Sequence, residues 1–321
     1  MKLLDIYLSL KSDMDVVEKR LHAEVQTPQY NLKKASSHLL KAGGKRIRPI
    51  FVLLAGTFGN YDIGRLSTVA AALELIHSAS LVHDDVIDDA ELRRGTPTVK
   101  SEWGNRMAMY TGDFIFARAL VMLSDIPQVQ VHQLLSRAIV AMCEGEIEQI
   151  RDLYNTRQNL RTYLRRIKRK TALLLSISCT LGALVSECSP LTVRYLERYG
   201  YYAGMAFQVI DDILDLTATE KQLGKPVGSD LRQGNLTLPV LYALQHSPDR
   251  DRLRSLISPE ITNAEAEEAI AIVKRSGGLE FSRELADRYM DKCLAMLHRL
   301  PATESRKKLE GIAHFINQRD H

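Results

Sequence analysis

Two acidic segments govern what this chain can fold into. Asp84-Asp85-Val86-Ile87-Asp88 and Asp211-Asp212-Ile213-Leu214-Asp215 begin 127 residues apart, and each closes an apolar, helix-like run, Ala70 to Val82 in one and Ala203 to Ile210 in the other. At about 100° per residue, Asp84 shares a helix face with Asp88, and Asp211 with Asp215. That face points inward. Two like charges about 4 Å apart repel by roughly 4 kcal/mol at an effective dielectric of about 20, so a convergent carboxylate cluster requires cations. Magnesium meets this need with oxygen ligands, and it favours one or two carboxylates plus substrate phosphates over an all-protein cage. The pair of segments therefore predicts a metal-bridged diphosphate site. An EF-hand is excluded, since Asp89 stands where that loop requires glycine.

The pattern around these segments is helical throughout. Apolar positions recur at spacings of three or four in residues 3 to 25, and further helices are expected at 31–42, 50–58, 66–89, 105–123, 128–150, 159–186, 195–216 and 236–244, with helical segments from 250 onward broken at Gly277-Gly278. Period-two alternation is nearly absent, which argues for an all-α bundle. A length of 321 residues would suggest two domains, but no Pro/Gly/Ser-rich linker separates the acidic segments. Shared metals would bind them into one domain, 1–321. The apolar uncharged stretch Thr171 to Ser186 has 16 residues and several hydroxyls, short for a membrane span. Asp5 interrupts any signal-peptide core, and Cys143, Cys179, Cys188 and Cys293 lack metal-ligand spacing, so a cytoplasmic protein with reduced, packed thiols is expected. A net charge of +4 gives no nucleic-acid footprint.

Other residues gather around the acidic helices. His77 lies two turns before Asp84, so His77, Asp84 and Asp88 line one face. Gln208, three residues before Asp211 and seven before Asp215, gives the second helix a matching polar stripe. Basic groups stand at three turns, Lys45/Arg46/Arg48, Arg93/Arg94 and Lys225, and arginine suits bidentate phosphate recognition. The strongest charge cluster, Arg161 to Lys170, reads mostly as a solvated face. Lys170-Thr171 differs, because it stands where that basic segment turns into a buried apolar run.

With these residues in view, the sequence resembles the trans-isoprenyl diphosphate synthases. GGKRIRP, the DDxxD of Asp84 to Asp88 followed by RRG, KT, FQ-x-x-DD-x-x-D and GKP occur in family order between residues 43 and 240. Within the family it is most similar to the larger, catalytic component of bacterial two-component heptaprenyl diphosphate synthases, in stretches such as ASLVHDDVIDDAELRRG and LRTYLRRIKRKTALL. The resemblance implies an isoprenoid-synthase-type helical bundle around a deep central cavity. It implies catalytic roles for Asp84, Asp85, Asp88, Asp211, Asp212, Asp215 and Lys170. Among these, Asp84, Asp88, Asp211 and Asp215 would serve Mg2+, the last through water. Arg93, Lys170, Thr171, Gln208 and Lys225 would hold the allylic diphosphate, expected to be farnesyl diphosphate, and Lys45, Arg48, His77 and Arg94 isopentenyl diphosphate.

One departure stands out: Asn235 occupies the place of a second lysine found in many relatives, so the allylic clamp would be weaker or be completed by Arg232. Ala79 and Ser80 are small, and in related enzymes large residues there shorten the product, so a product beyond fifteen carbons is expected, with Leu73 and Ile76 as deeper wall. The expected product is heptaprenyl diphosphate for the menaquinone side chain. The partner would be a small non-catalytic component I subunit, or a second copy in a homodimer. A homodimeric farnesyl, geranylgeranyl, hexaprenyl or octaprenyl synthase and a non-catalytic partner subunit are the alternatives; the intact acidic segments argue against the last. The long product would hold the protein loosely at a membrane.

Overall fold

The computed structural model describes residues 3–93, 95–219 and 226–319. Apart from a two-residue hairpin, Leu92–Arg93 (β1) against Thr96–Pro97 (β2), its regular structure is helical among the described residues. The chain divides into two compact units. One comprises Met1–Leu134, Ile177–Leu196 and Pro301–Leu309; the other Leu135–Ser176, Glu197–Leu300 and Glu310–His321.

The first unit is built around α5 (Ile63–Ile87), which packs against α2 (Lys11–Glu24), α4 (Ile47–Gly56) and α6 (Val99–Leu123). Asp62 caps α5 by accepting hydrogen bonds from the backbone of Gly64 and Arg65, a contribution of about 1 kcal/mol. From Leu66 to Ala79 the helix is buried almost without interruption, and Ala70, Ala71, Ala72 and Ala79 allow neighbours to approach closely. This helix is long and apolar enough to cross a membrane by length and hydropathy, yet 78% of its most apolar stretch is buried inside the protein, as in a core helix. Asp89 stops it by turning into the left-handed region at φ 53°. The expected helix over 3–25 is two, α1 (Leu3–Ser9) and α2, with a break at Leu10 that keeps Ile6, Leu10 and Met14 all buried. α3 (Tyr30–Lys41) ends before Gly43, at φ 70°. α6 starts earlier than its periodicity suggests, from a Thr98 cap, and bends at Gly104 with φ 80°.

Arg46 is the main surprise of this unit. It sits in the basic GGKRIRP segment but is 7% exposed, donating to Glu18, to the buried Glu74 and to the carbonyl of Leu40. Its backbone takes φ 47°, an arrangement that a non-glycine residue keeps only when its surroundings demand it. The phosphate-loop reading of this segment therefore rests on Lys45, exposed, and Arg48, half-buried.

The helices after α6 begin with α7 (Val129–Arg151), α8 (Leu160–Ile167), a π-helical turn at Lys168–Ala172 and α9 (Leu173–Val185). The single helix expected over 159–186 is thus interrupted by a π turn, in which the Leu173 N–H reaches back five residues to the Lys168 carbonyl. Next come α10 (Pro190–Thr217), α11 (Ser229–Arg232), α12 (Leu238–His246), α13 (Arg250–Leu256), α14 (Asn263–Lys274), α15 (Gly278–Leu297) and α16 (Glu304–Asn317). In the second unit α12 packs against α13, α14 and α15, and Tyr163 and Tyr199 are its largest fully buried side chains. A Thr262/Glu265 capping box starts α14.

Removing Arg46 leaves the buried Glu74 carboxylate without this counter-charge. Arg46→Ala is expected to lower the unfolding free energy by about 3 kcal/mol or more in chemical denaturation; a loss under about 1 kcal/mol would mean that Arg46 is a surface group.

Candidate active site

In the first unit the acidic segment spans the last turn of α5. The Asp88 N–H donates to the Asp84 carbonyl at 2.8 Å, continuing the helical ladder, so the two side chains stand one turn apart, Asp84 half-buried and Asp88 exposed. Contrary to the expectation that the Asp84/Asp88 face points inward, it is Asp85, with a cationic partner to satisfy it, that is buried. Arg93, brought back by the β1–β2 hairpin, donates Nε and Nη2 to Asp85 Oδ1 at 2.8 and 2.7 Å. Burial raises the Asp85 pKa while Arg93 opposes it. Lys100, whose side chain is buried, ties down the following turn through Asp89 and Glu91 at 2.6 and 2.9 Å. Sequence reasoning missed Lys100, which carries no motif signal.

The remaining expected residues of this unit lie on or near α5. His77 is half-buried, and its backbone carbonyl accepts the Ser80 hydroxyl at 2.8 Å. Ala79 is fully buried with Leu73 and Ile76, while Ser80 is half-buried. Arg94 lies outside the described residues.

In the second unit a single hydrogen-bonded chain joins the π turn to α10. The Thr171 hydroxyl donates to Gln208 Oε1 at 2.6 Å, Gln208 Nε2 donates to Asp212 Oδ1 at 2.9 Å, and the Tyr163 hydroxyl donates to Asp212 Oδ2 at 2.6 Å. The backbones are close here: a Cβ on Gly204 of α10 would lie 2.5 Å from Ala172 Cα. The Gln208 side chain thus joins Asp212, one turn on, rather than the expected stripe with Asp211 and Asp215. Arg166 lies over the Tyr163 ring and donates to Gln158 and to the Leu236 carbonyl. Burial, then repulsion from Asp230, pushes the Asp212 pKa up to about 7 against the hydrogen bonds from Tyr163 and Gln208.

Lys170, on the π turn, donates to Gln149 of α7 at 3.2 Å. A polar cavity of about 90 Å³ is lined by Lys170, Gln208, Asp212, Gln149, Asp230 and Asn235 among others, so three expected residues converge there. Tyr163, two turns before Lys170, was open to discovery by the spacing that linked His77 to Asp84.

Asp211 and Asp215 part company. Asp215 is buried and accepts the Asp230 N–H at 3.2 Å, which fixes the entry to α11. Asp211 is about one-third exposed and pairs with Arg319 at 2.7 Å. Arg232 does not take the place of the lysine that Asn235 lacks: its guanidinium is held by Asn263 Oδ1 at 2.7 Å and the Val227 carbonyl at 3.4 Å. Lys225 lies outside the described residues. Of the four cysteines, Cys179 and Cys293 are buried as expected, but Cys143 is exposed.

No group of three His, Cys, Asp or Glu side chains forms a ready metal cage among the described residues. Asp84 and Asp88 in the first unit, and Asp211 in the second, are oxygen-only donors of the kind a hard divalent cation takes one or two at a time, completing its shell with phosphate and water. Asp211 already carries the Arg319 guanidinium as a cationic partner.

The polyprenyl synthetase family model matches residues 29–273. Heptaprenyl diphosphate synthase component 2 from Geobacillus stearothermophilus is 53% identical over 321 residues, all of this chain and all of that protein. The crystal structure of heptaprenyl diphosphate synthase from Staphylococcus aureus superposes with a TM-score of 0.94 at 41% identity, covering 97% of this chain and 99% of that one. A polyprenyl synthase from Caulobacter crescentus, solved with calcium and isoprenyl diphosphate, gives 0.95 at 32% identity over 100% and 98%.

The raised Asp212 pKa has a measurable consequence. Because its folded-state value lies above that of an unfolded aspartate, the folded protein favours the protonated form, so this contribution to stability is present in acid and is lost as pH rises toward 7. Asp212→Asn should therefore gain thermal stability relative to the parent as pH is raised from about 5 to about 7. A pH-independent difference would contradict the buried titration.

Proposed function

Since the chain belongs to the polyprenyl synthetase family and is a prenyltransferase, we propose that it condenses isopentenyl diphosphate head-to-tail onto an allylic diphosphate, with farnesyl diphosphate as primer and heptaprenyl diphosphate as product. The observation that carries this reading is the full-length 53% identity to a heptaprenyl diphosphate synthase component 2. The designation component 2 is the reason to assign a second, smaller, non-catalytic subunit as partner. Four of the points where the chain passes between its two units fall within α7, α9, α10 and α16, which supports a single domain. We place the enzyme in the cytoplasm, held near a membrane by its product.

Magnesium is the proposed metal; Asp84 and Asp88, and Asp211, would hold it, while Asp215, buried against the Asp230 amide, would assist only indirectly. Bound there, the metal supplies Lewis-acid neutralisation of the charge growing on the departing diphosphate. Lys170 is assigned to the allylic diphosphate with Arg93, Thr171, Gln208 and Lys225. Thr171 and Gln208 already orient one another, and Arg93 is anchored through Asp85. Lys45, Arg48, His77 and Arg94 are assigned to isopentenyl diphosphate. Asp212 acts through position, fixing the Gln208 amide and the start of the second motif. Ionisation leaves an allylic carbocation that must be kept from water, and the apolar side of α5, with Leu73, Ile76 and Ala79, supplies a dry wall. The isopentenyl double bond attacks, and a proton then leaves to the released diphosphate.

Magnesium-dependent diphosphate release from farnesyl plus isopentenyl diphosphate, with and without the smaller component, tests the assignment. Asp84→Ala and Asp211→Ala should each reduce turnover by about 100-fold or more while far-ultraviolet circular dichroism is retained; near-parent turnover in a folded variant would remove that aspartate from the metal set. Ala79→Phe should shorten the radiolabelled product, whereas an unchanged length would show that the growing chain does not pass Ala79.

A further inference from the structure

Asp211 holds a cation supplied by the chain itself. Arg319, two residues beyond the end of α16, places Nη1 2.7 Å from Asp211 Oδ1, and its guanidinium lies 4.5 Å from the centroid of the Phe207 ring. Phe207 and Asp211 are one turn apart on α10, so a single helix face grips both the charge and the flat surface of the arginine. The Arg319 side chain is 18% exposed, which sets this pair apart from a solvated surface contact. Two contacts of different kinds, to residues of one helix face, hold one side chain that is 108 positions away in sequence.

We propose that Arg319 is a built-in counter-cation for Asp211, which occupies this carboxylate before a divalent metal arrives and has to leave when the metal binds. The proposal rests on Asp211 being a metal ligand. A carboxylate oxygen that accepts a guanidinium N–H cannot direct the same lone pair to a metal, and placing both cations on Asp211 sets two positive charges against each other. The surroundings offer Arg319 somewhere to go. It borders an open groove of about 670 Å³ whose described lining includes Glu280 and Glu284 together with Arg283. A guanidinium released from Asp211 can turn toward those glutamates and stay paired. Metal loading of the second acidic motif is thereby coupled to release of the C-terminal arginine, a step that neither motif reveals by itself.

The test measures Mn2+ binding to the full-length protein without prenyl substrates, by electron paramagnetic resonance of free Mn2+ and by calorimetry. Arg319→Gln should bind Mn2+ more tightly than the parent by about two- to fivefold, the range expected when a partly exposed ion pair stops competing. Arg319→Lys, which keeps the charge, should stay near the parent, and a chain ending at Gln318 should match Arg319→Gln. Thermal unfolding of each variant establishes that the protein is folded. Equal or weaker Mn2+ binding by folded Arg319→Gln overturns the proposal, as does a gain in Arg319→Lys equal to that in Arg319→Gln. Asp211→Asn separates the two readings: weaker Mn2+ binding in this variant keeps Asp211 as a ligand even if Arg319 proves neutral, whereas unchanged binding removes the ligand assignment and the proposal with it.

Discussion

A carboxylate that loses its water at the end of a buried helix must find a cation or several donors, or it costs several kcal/mol. Both acidic segments obey this constraint by dividing their labour. In the first, Asp85 turns inward and is satisfied by Arg93, while Asp84 and Asp88 occupy the more exposed face. In the second, Asp212 and Asp215 turn inward, one onto Tyr163 and Gln208, the other onto the Asp230 amide. Asp211 stays more accessible and holds Arg319. The inward members fix the helix ends, and that fixation gives the outward members a defined position from which they would bind the proposed metal. Catalysis by charge neutralisation depends on such preorganisation.

The local helical irregularities serve the same end. A π turn at Lys168–Ala172 changes the angular register of the helix just where Lys170 and Thr171 sit, letting Lys170 reach Gln149 while Thr171 reaches Gln208. Asp89 breaks α5 at a residue that still allows Lys100 to hold the following turn. Arg46, inside the basic GGKRIRP segment, joins Glu18 and Glu74 and so fastens α2 and α5 beside that loop. Binding groups and structural groups are neighbours in sequence but have different partners.

That distinction explains how much was legible in advance. The all-α class and most helices follow from 3.6-residue periodicity, a local property, whereas the i, i+4 spacing did not show that Asp85, Asp212 and Asp215 are the inward carboxylates while Asp84, Asp88 and Asp211 are less buried. Arg46 was misplaced because a basic residue in a glycine-rich loop looks the same whether it meets phosphate or a buried glutamate. The breaks at Leu10 and Lys168–Ala172 left the hydrophobic pattern almost unaltered, so periodicity carried straight through them. The expected Gln208–Asp215 stripe gave way to an i, i+4 bond with Asp212, whose other oxygen is taken by Tyr163 from α8. Arg319 had no signal at all, since nothing near the C-terminus announces a partner in α10.

The central claim is that Asp84, Asp88 and Asp211 are cation sites completed by a substrate diphosphate. The most direct measurement is anomalous scattering from crystals grown with Mn2+ and a thiolo analogue of farnesyl diphosphate, which cannot ionise readily. The account predicts Mn2+ peaks within coordination distance of Asp84 and Asp88, and of Asp211, each also touching diphosphate oxygens, with Arg319 no longer on Asp211. Metal peaks away from these carboxylates, with Arg319 still paired to Asp211 beside bound diphosphate, would contradict it.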